Sequence, residues 1–487
     1  MSRRPEPHVA TTTFALPSGN GEQPRDQHGP GWWRLRTWRL DLAVLARVRS
    51  GLNSLPDAGP LPADGTRSLN GASAVTGAPP LDGSSPEQPA GPEPQASPAT
   101  PAAGLDPAIA AIRETFAVVE KAGDEAISYF YARLFLRRPA LRELFPPAMD
   151  EQRDRLFRAL ARIVESLSTP EEMATYLAQL GRDHRKYGVE PAMYDDVGAA
   201  LIATLRKFAG TAFTSAAEQA WLEAYTAASS LMLRAVEEDA AARPAFWTAE
   251  VVSNDRRAAG IAVLTLAPDE VLPFTAGQHV TVQTPRWPRV WRPYSIACRP
   301  RDDGLLSLHV KAVPGGWVSN ALVRDTRPGD ELIIGPPLGT MTLRDAGDRD
   351  LLCIAGGTGL SPIKAITEQA IRDSGPGRRR EIFLFCGART RDELYDLKDL
   401  WKLADAYPWL QLTPVTSDDP AFDGMQGSVG RVGARYVPHR DCEAYVAGPP
   451  GMVRETIRVL HRSGIPRERI HYDDALLADH PRAGSGR

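Results

Sequence analysis

The sequence predicts a multidomain chain: an all-α domain, then an antiparallel β-barrel, then an α/β domain with a parallel sheet, all after a disordered N-terminal extension. Three observations predict it. Across residues 105–242 apolar side chains recur at helical spacing, as in Ile112, Phe116, Val119 and in Leu156, Leu160, Ile163, Leu167. After Arg243-Pro244 the spacing changes to short alternating runs (AEVVS, IAVLTL, HVTVQT, LLSLHVKAV, ELIIG) cut by Gly, Pro and Asp. From Asp350 apolar strands alternate with amphipathic helices, from LLCIAGG and PIKAITEQAIRD to AYVAG and PGMVRETIRVLHRSG, the pattern of a parallel sheet.

Residues 1–104 form the extension. Within it, residues 51–104 carry eleven prolines and no aromatic residue, so they cannot bury enough apolar area to offset their ordering entropy. Residues 32–48, WWRLRTWRLDLAVLARV, mix Trp, Leu and Arg. They can be written as a basic amphipathic helix making weak contact with a membrane surface, but composition favours an unstructured extension. The domains then run 105–242, 243–347 and 348–478, with a tail at 479–487. In the helical domain the breaks fall at Pro139, Pro146-Pro147, Pro170, Gly188 to Pro191 and Gly210, which gives six to eight helices.

The totals narrow the function classes. Among 487 residues, 57 Lys and Arg against 60 Asp and Glu leave a net charge of −3, which gives no case for nucleic acid. Four cysteines, Cys298, Cys353, Cys386 and Cys442, stand far apart. That spacing argues against a disulfide framework or a zinc site and fits a cytoplasmic protein. No apolar run is long enough to span a membrane.

Two glycine-rich turns stand out in the α/β domain. IAGGTGLSPIKAI follows a buried strand and opens a helix; Gly356, Gly357 and Gly359 permit tight turning and close approach to a phosphate, and Pro362 suits a first helical turn. Such a turn alone can equally be a plain strand–helix connection. A second one, VAGPPGM at 446–452, follows a later strand, and two at neighbouring strand ends make a nucleotide crevice. In the barrel, WRPYSIA offers Arg292 to a phosphate and Tyr294, on the same strand face, to a flat ring. Ser295 can bond at the ring edge, and GGWVSNAL at 315–322 reads as a further Gly-containing helix start.

The stretch GRDHRKYGVEPAMY holds His184, the sole histidine between His28 and His279, at a helix end. A lone histidine in a helical protein is usually structural. Its companions favour a ligand: Tyr131 after an aromatic stripe, Phe145 before a proline break, and Gln152 opening the next helix, together capable of forming an oxygen-binding pocket opposite an axial imidazole.

In this order, RPYS, GGWVSN, GGTGLSP, CGAR and AGPPGM resemble the ferredoxin–NADP reductase superfamily over residues 245–475. The helical segment resembles the globin of flavohaemoglobins, and the domain order is theirs. The resemblance implies haem b, FAD and NAD(P)H as cofactors. It implies that His184 is the proximal iron ligand, that Tyr131 and Gln152 are the distal polar pair with Leu156 a turn further on, that Phe145 packs on the haem, and that Tyr194 belongs to the proximal hydrogen-bond network. It further implies that Arg292 binds the flavin phosphate, that Tyr294 and Ser295 touch the flavin, and that Val318 and Ser319 line its pyrophosphate. Gly356, Gly357, Thr358 and Gly359, with Gly448, Pro449 and Met452, would cradle the nicotinamide nucleotide. The implied activity is nitric oxide dioxygenation, in which NO, O2 and NAD(P)H meet through flavin and haem. The alternatives are an NAD(P)H oxidoreductase with another acceptor, such as a quinone or a peroxide, and a haem-based oxygen-binding or sensor protein.

This sequence departs from the flavohaemoglobin pattern at four places. Asp183 stands where a propionate-binding lysine is usual. Val236 stands where a proximal glutamate is expected, with Glu237 one place on. Ala475, in HYDDAL, stands where an aromatic lies over the flavin. The segment between Phe145 and Gln152 is a few residues short.

Overall fold

The computed structural model describes residues 106–343, 349–374, 380–436 and 441–473. The extension at 1–104, Ala475 and the tail lie outside the described residues.

Six α-helices build the first layer: α1 (Pro107–Glu120), α2 (Gly123–Arg137), α3 (Asp150–Glu165), α4 (Pro170–Arg185), α5 (Pro191–Ala209) and α6 (Ser215–Ala242). Several start where the chain supplies a proline or a cap. Asp106 accepts the Ala108 amide at 2.9 Å, with Pro107 in the first turn, and Thr214 accepts the Ala217 amide at 3.2 Å. A short 3-10 turn, Pro139–Leu144, carries the chain from α2 towards α3. The apolar stripes meet in one core around Phe116, Phe130, Leu134, Leu205 and Trp221. Trp221 Nε1 donates to Thr115 Oγ1 at 2.8 Å, which satisfies the one polar atom that ring brings inside.

Six antiparallel strands follow: β1 (Trp247–Ala258), β2 (Ile261–Pro268), β3 (His279–Gln283), β4 (Arg292–Ser295), β5 (Leu306–Lys311) and β6 (Glu331–Ile334), in the order β4-β3-β6-β1-β2-β5. A bridge between Ile296 and Leu308 joins the two outer strands, so the sheet closes on itself. The inward residues, among them Val251, Leu264, Val280, Val282, Leu308 and Ile334, are buried. A four-residue helix, α7 (Trp317–Asn320), and a π-turn lie between β5 and β6.

The last domain has six parallel strands: β7 (Asp350–Gly356), β8 (Ile382–Ala388), β9 (Leu410–Thr416), β10 (Met425–Gln426), β11 (Cys442–Ala447) and β12 (Ile470–His471). Helices α8 (Leu360–Arg372), α9 (Leu397–Ala406), α10 (Val429–Tyr436) and α11 (Pro450–Arg462) connect them. The order β10-β9-β8-β7-β11-β12 reverses direction between β7 and β11. At such a switch point the two flanking loops part and leave a crevice beyond the strand ends. No described helix is long and apolar enough to cross a membrane, and all four cysteines are buried and free.

Candidate functional site

The two glycine turns lie side by side at the switch point. A Cβ on Gly359 would sit 2.4 Å from the Ala447 carbonyl, and one on Gly356 would sit 2.6 Å from Met452 Cε. The first turn is thus pressed against the second by backbone contact, which only glycine permits. Gly357 differs: its φ is +54° and a Cβ there would meet nothing within 4 Å, so it faces open space. Ser361 donates to the Thr358 carbonyl at 2.9 Å and holds the turn. Gly448 and Pro449 shape the second turn, ahead of Pro450 in the first turn of α11. A closed back, an open front and the start of α8 together fit a pyrophosphate.

In the barrel, Arg292, Tyr294 and Ser295 lie on β4, paired with Val282, Val280 and His279 of β3. Tyr294 packs on the barrel core, and burial raises its phenol pKa, so the hydroxyl stays protonated. Arg292 is held from the helical domain: its Nη2 donates to both carboxylate oxygens of Glu151 at 2.8 Å, while Nη1 donates to the Trp291 carbonyl at 3.0 Å. Val318 is buried in the core, so what it offers a phosphate is its backbone amide. Ser319 Oγ accepts the Val313 amide at 3.3 Å and shapes the turn from inside. Beside it Trp287 and Trp317 stack, with centroids 4.8 Å apart and planes 23° apart. That flat surface was not singled out in the sequence, because its two indoles are distant along the chain.

The helical domain brings four aromatic rings together. Tyr131 packs against Phe130, Phe135 and Phe145 at 5.2, 5.7 and 5.5 Å. Its hydroxyl lies 3.5 Å from the backbone carbonyl of Gln152, and the Gln152 side chain also reaches it. Burial pushes that phenol up to about 12, so it is a proton donor at any physiological pH. Leu156 packs on the same core from α3.

His184 sits in the last turn of α4. Its Nδ1 bonds the Leu180 carbonyl at 2.5 Å, one turn back. With Nδ1 donating, Nε2 carries the free lone pair. Burial lowers the ring's pKa, which keeps it neutral and able to bind a metal. Among the described residues no three His, Cys, Asp or Glu side chains converge as a metal cluster. A single neutral imidazole is the protein donor set of a metal already held by a macrocycle, and haem fits it.

The position of His184 is fixed from both sides. Gly181 lets α4 touch the α6 backbone, since a Cβ there would lie 2.5 Å from the Met232 carbonyl. Arg185 pairs with the buried Asp239 of α6 and donates to the Arg243 carbonyl at 2.9 Å. The expected proximal carboxylate is absent. Val236 is half-buried and Glu237 points to solvent, so no one-residue shift restores it. Among the described residues the buried Tyr194 hydroxyl has no hydrogen-bond partner. Beyond His184, Tyr187 packs edge-on to its ring at 6.5 Å and to Trp291 at 6.3 Å. Neither Tyr187 nor Trp291 was singled out in the sequence; the signal was there, since each adjoins a motif.

Comparisons with known proteins bear on all three sites. The globin family matches residues 128–232, the oxidoreductase FAD-binding domain residues 247–343 and the oxidoreductase NAD-binding domain residues 353–457. A flavohemoprotein of Chromobacterium violaceum is 27% identical over 405 residues, 76% of this chain and 97% of its own. An electron transfer component of xylene/toluene monooxygenase from Pseudomonas putida is 33% identical over 231 residues, 46% of this chain. The chain spans 65% of that relative's length, and 60% of two reductase components of naphthalene dioxygenase systems. The crystal structure of a flavohemoglobin from Malassezia yamatoensis superposes with a TM-score of 0.60 at 22% identity, over 76% of this chain and 99% of that one, a likeness of fold. Haem, FAD and a nicotinamide nucleotide are the cofactors of such an assembly. The chain thus joins in one polypeptide a region that matches the globin family, one that matches the FAD-binding and one that matches the NAD-binding oxidoreductase domain, the arrangement of the flavohemoproteins it resembles.

Proposed function

We propose that this oxidoreductase is a nitric oxide dioxygenase, converting NO to nitrate with O2 and NAD(P)H. The observation that carries the reading is Tyr131: a phenol that remains protonated, enclosed by Phe130, Phe135 and Phe145, in the helical domain whose free imidazole is His184 Nε2.

When bound, the cofactors supply hydride acceptance, one-electron transfer and oxygen chemistry. The protein's part is placement. The paired turns at 356–359 and 448–452 would hold the nucleotide's pyrophosphate. Arg292, Tyr294 and Ser295 would hold the flavin on β4. His184 Nε2 would hold the iron. The Tyr131 hydroxyl keeps its proton and would donate a hydrogen bond within the pocket, and Gln152 opens the helix beside it. Phe135, Phe145 and Leu156 exclude water. The four buried thiols support a reducing cytoplasm as its place of work.

The test follows NO loss and nitrate formation in aerobic solution with NADH. Tyr131→Phe is expected to slow NO consumption roughly 10- to 100-fold, the scale of a lost hydrogen bond to a charged group, and to speed O2 release. O2 dissociation equal to that of the parental protein would remove Tyr131 from this role.

One observation supports a second reading. His184 Nδ1 is held by a carbonyl rather than a carboxylate, and an imidazole without an anionic partner is a weaker donor to iron. That favours a different acceptor, a quinone or a peroxide. NADH oxidation that ignores NO and responds to a quinone would select it.

A further inference from the structure

Lys186 is a cation without an ion pair among the described residues at the seam between the globin and the flavin barrel, with Asp183 as its nearby opposite charge and Arg155 as a like one. Its Nζ lies 3.3 Å from Thr281 Oγ1 of β3 and 5.5 Å from the centroids of both Tyr187 and Trp291. Its stem runs past Gly335, where an added Cβ would meet Lys186 Cδ at 3.5 Å. No carboxylate among the described residues reaches it at ion-pair distance. Asp183 is bonded instead by Gln179 at 3.3 Å. From α3, Arg155 adds a second positive charge, held loosely by Glu151 at 3.7 Å.

Two neighbouring cations, Lys186 and Arg155, against the single charge of Asp183 leave a positive surplus that an added anion would offset. A free lysine ordinarily turns its head to water. This one is instead directed against two rings and a hydroxyl of the neighbouring domain. Lys186 is two residues from His184, so the anion belongs to whatever His184 holds. A haem carries two carboxylates on one edge, and that edge must lie where charge can be met.

We propose that Lys186, with Arg155, seats a haem propionate at the seam, in place of the lysine usual at position 183. The proposal rests on the reading that the globin holds haem through His184. The seat is assembled by both domains: α4 supplies the ammonium, and Thr281 and Trp291 of the barrel orient it. The propionate therefore also fastens the globin to the flavin domain.

The test uses the full-length holoprotein and follows haem transfer to excess apomyoglobin. Lys186→Gln is expected to release haem about tenfold faster, the factor that a loss of about 1.4 kcal/mol gives, and Lys186→Arg to stay within about twofold of the parental rate. Repeating the measurement with haem dimethyl ester, whose propionates carry no charge, should close the gap between Lys186→Gln and the parental protein. A purely structural role would leave that gap unchanged. Equal release from all variants, or a gap that persists with the ester, overturns the proposal. An effect confined to FAD retention overturns it in favour of the flavin phosphate. Parental protein with no Soret band would fail the haem reading itself, a result distinct from any of these.

Discussion

His309 shows what burial does to a single group. It lies on β5, buried, with Nδ1 2.7 Å from the Tyr395 hydroxyl and Nε2 without a partner among the described residues. Burial, then the charges of Lys364 and Arg257, hold its pKa well below the ordinary 6.5. The folded protein therefore refuses a proton that the unfolded chain accepts. The neutral ring costs nothing above pH 6.5, and stability falls as pH drops below it, by up to about 1.4 kcal/mol per pH unit from this one group. Replacing it in His309→Gln should flatten the difference between stabilities measured by urea unfolding at pH 7 and pH 5.5; an unchanged slope would show that other groups set it.

The site was legible at this scale wherever chemistry is local. RPYS and GGTG announce themselves because each works within a few residues. Lys186 did not, because its partner Thr281 is 95 residues away. Gln152 was legible as a neighbour of Tyr131, and helix α3 brings its carbonyl as well as its side chain to the phenol.

Among the elements, α4 is held close against α6, and Gly181 is the reason. A methyl group there would press on the Met232 main chain at 2.5 Å, and backbone cannot swing aside as a side-chain end can. Gly181→Ala should push α4 off α6, cost about 1–3 kcal/mol, and shift His184 enough to weaken haem binding. Thermal unfolding and haem titration check both halves; a variant as stable as the parent would mean that the helices slide freely. Asp396 plays the matching part in the reductase, where it is fully buried and pairs with Lys364 at 2.8 Å and with Arg257. Asp396→Ala strands Lys364, while Arg257 keeps Asp255 and Asp399 at 2.8 Å, so a loss of about 2 kcal/mol is expected by denaturant unfolding.

Element type was readable where the periodic pattern was long. Helix α10 was not foreseen, because Gly430 and Gly433 lower its helical propensity. They are there because α10 lies close on its neighbours: Cβ atoms would meet Thr456 Oγ1 at 2.2 Å and Ile354 Cδ1 at 3.1 Å. The short edge strands β10 and β12 hold two residues each, too few for any alternation to show.

Across the whole molecule, one ion pair ties oxygen chemistry to flavin chemistry. Glu151 stands beside Gln152 at the start of α3, and its carboxylate takes the same Arg292 guanidinium that the flavin phosphate is expected to use. Domain order alone could reveal that the globin precedes the barrel, but not that the distal helix touches the flavin strand. Both partners are partly exposed, with side chains 64% and 34% accessible, so the pair is worth only on the order of 0.2–1 kcal/mol. If the phosphate must displace Glu151, Glu151→Gln should bind FAD a few-fold more tightly, and the advantage should shrink as salt screens the competition. Flavin fluorescence quenching on titration of the FAD-stripped protein measures this directly. Weaker FAD binding in the variant would reverse the picture, with Glu151 orienting Arg292 for the phosphate rather than competing with it.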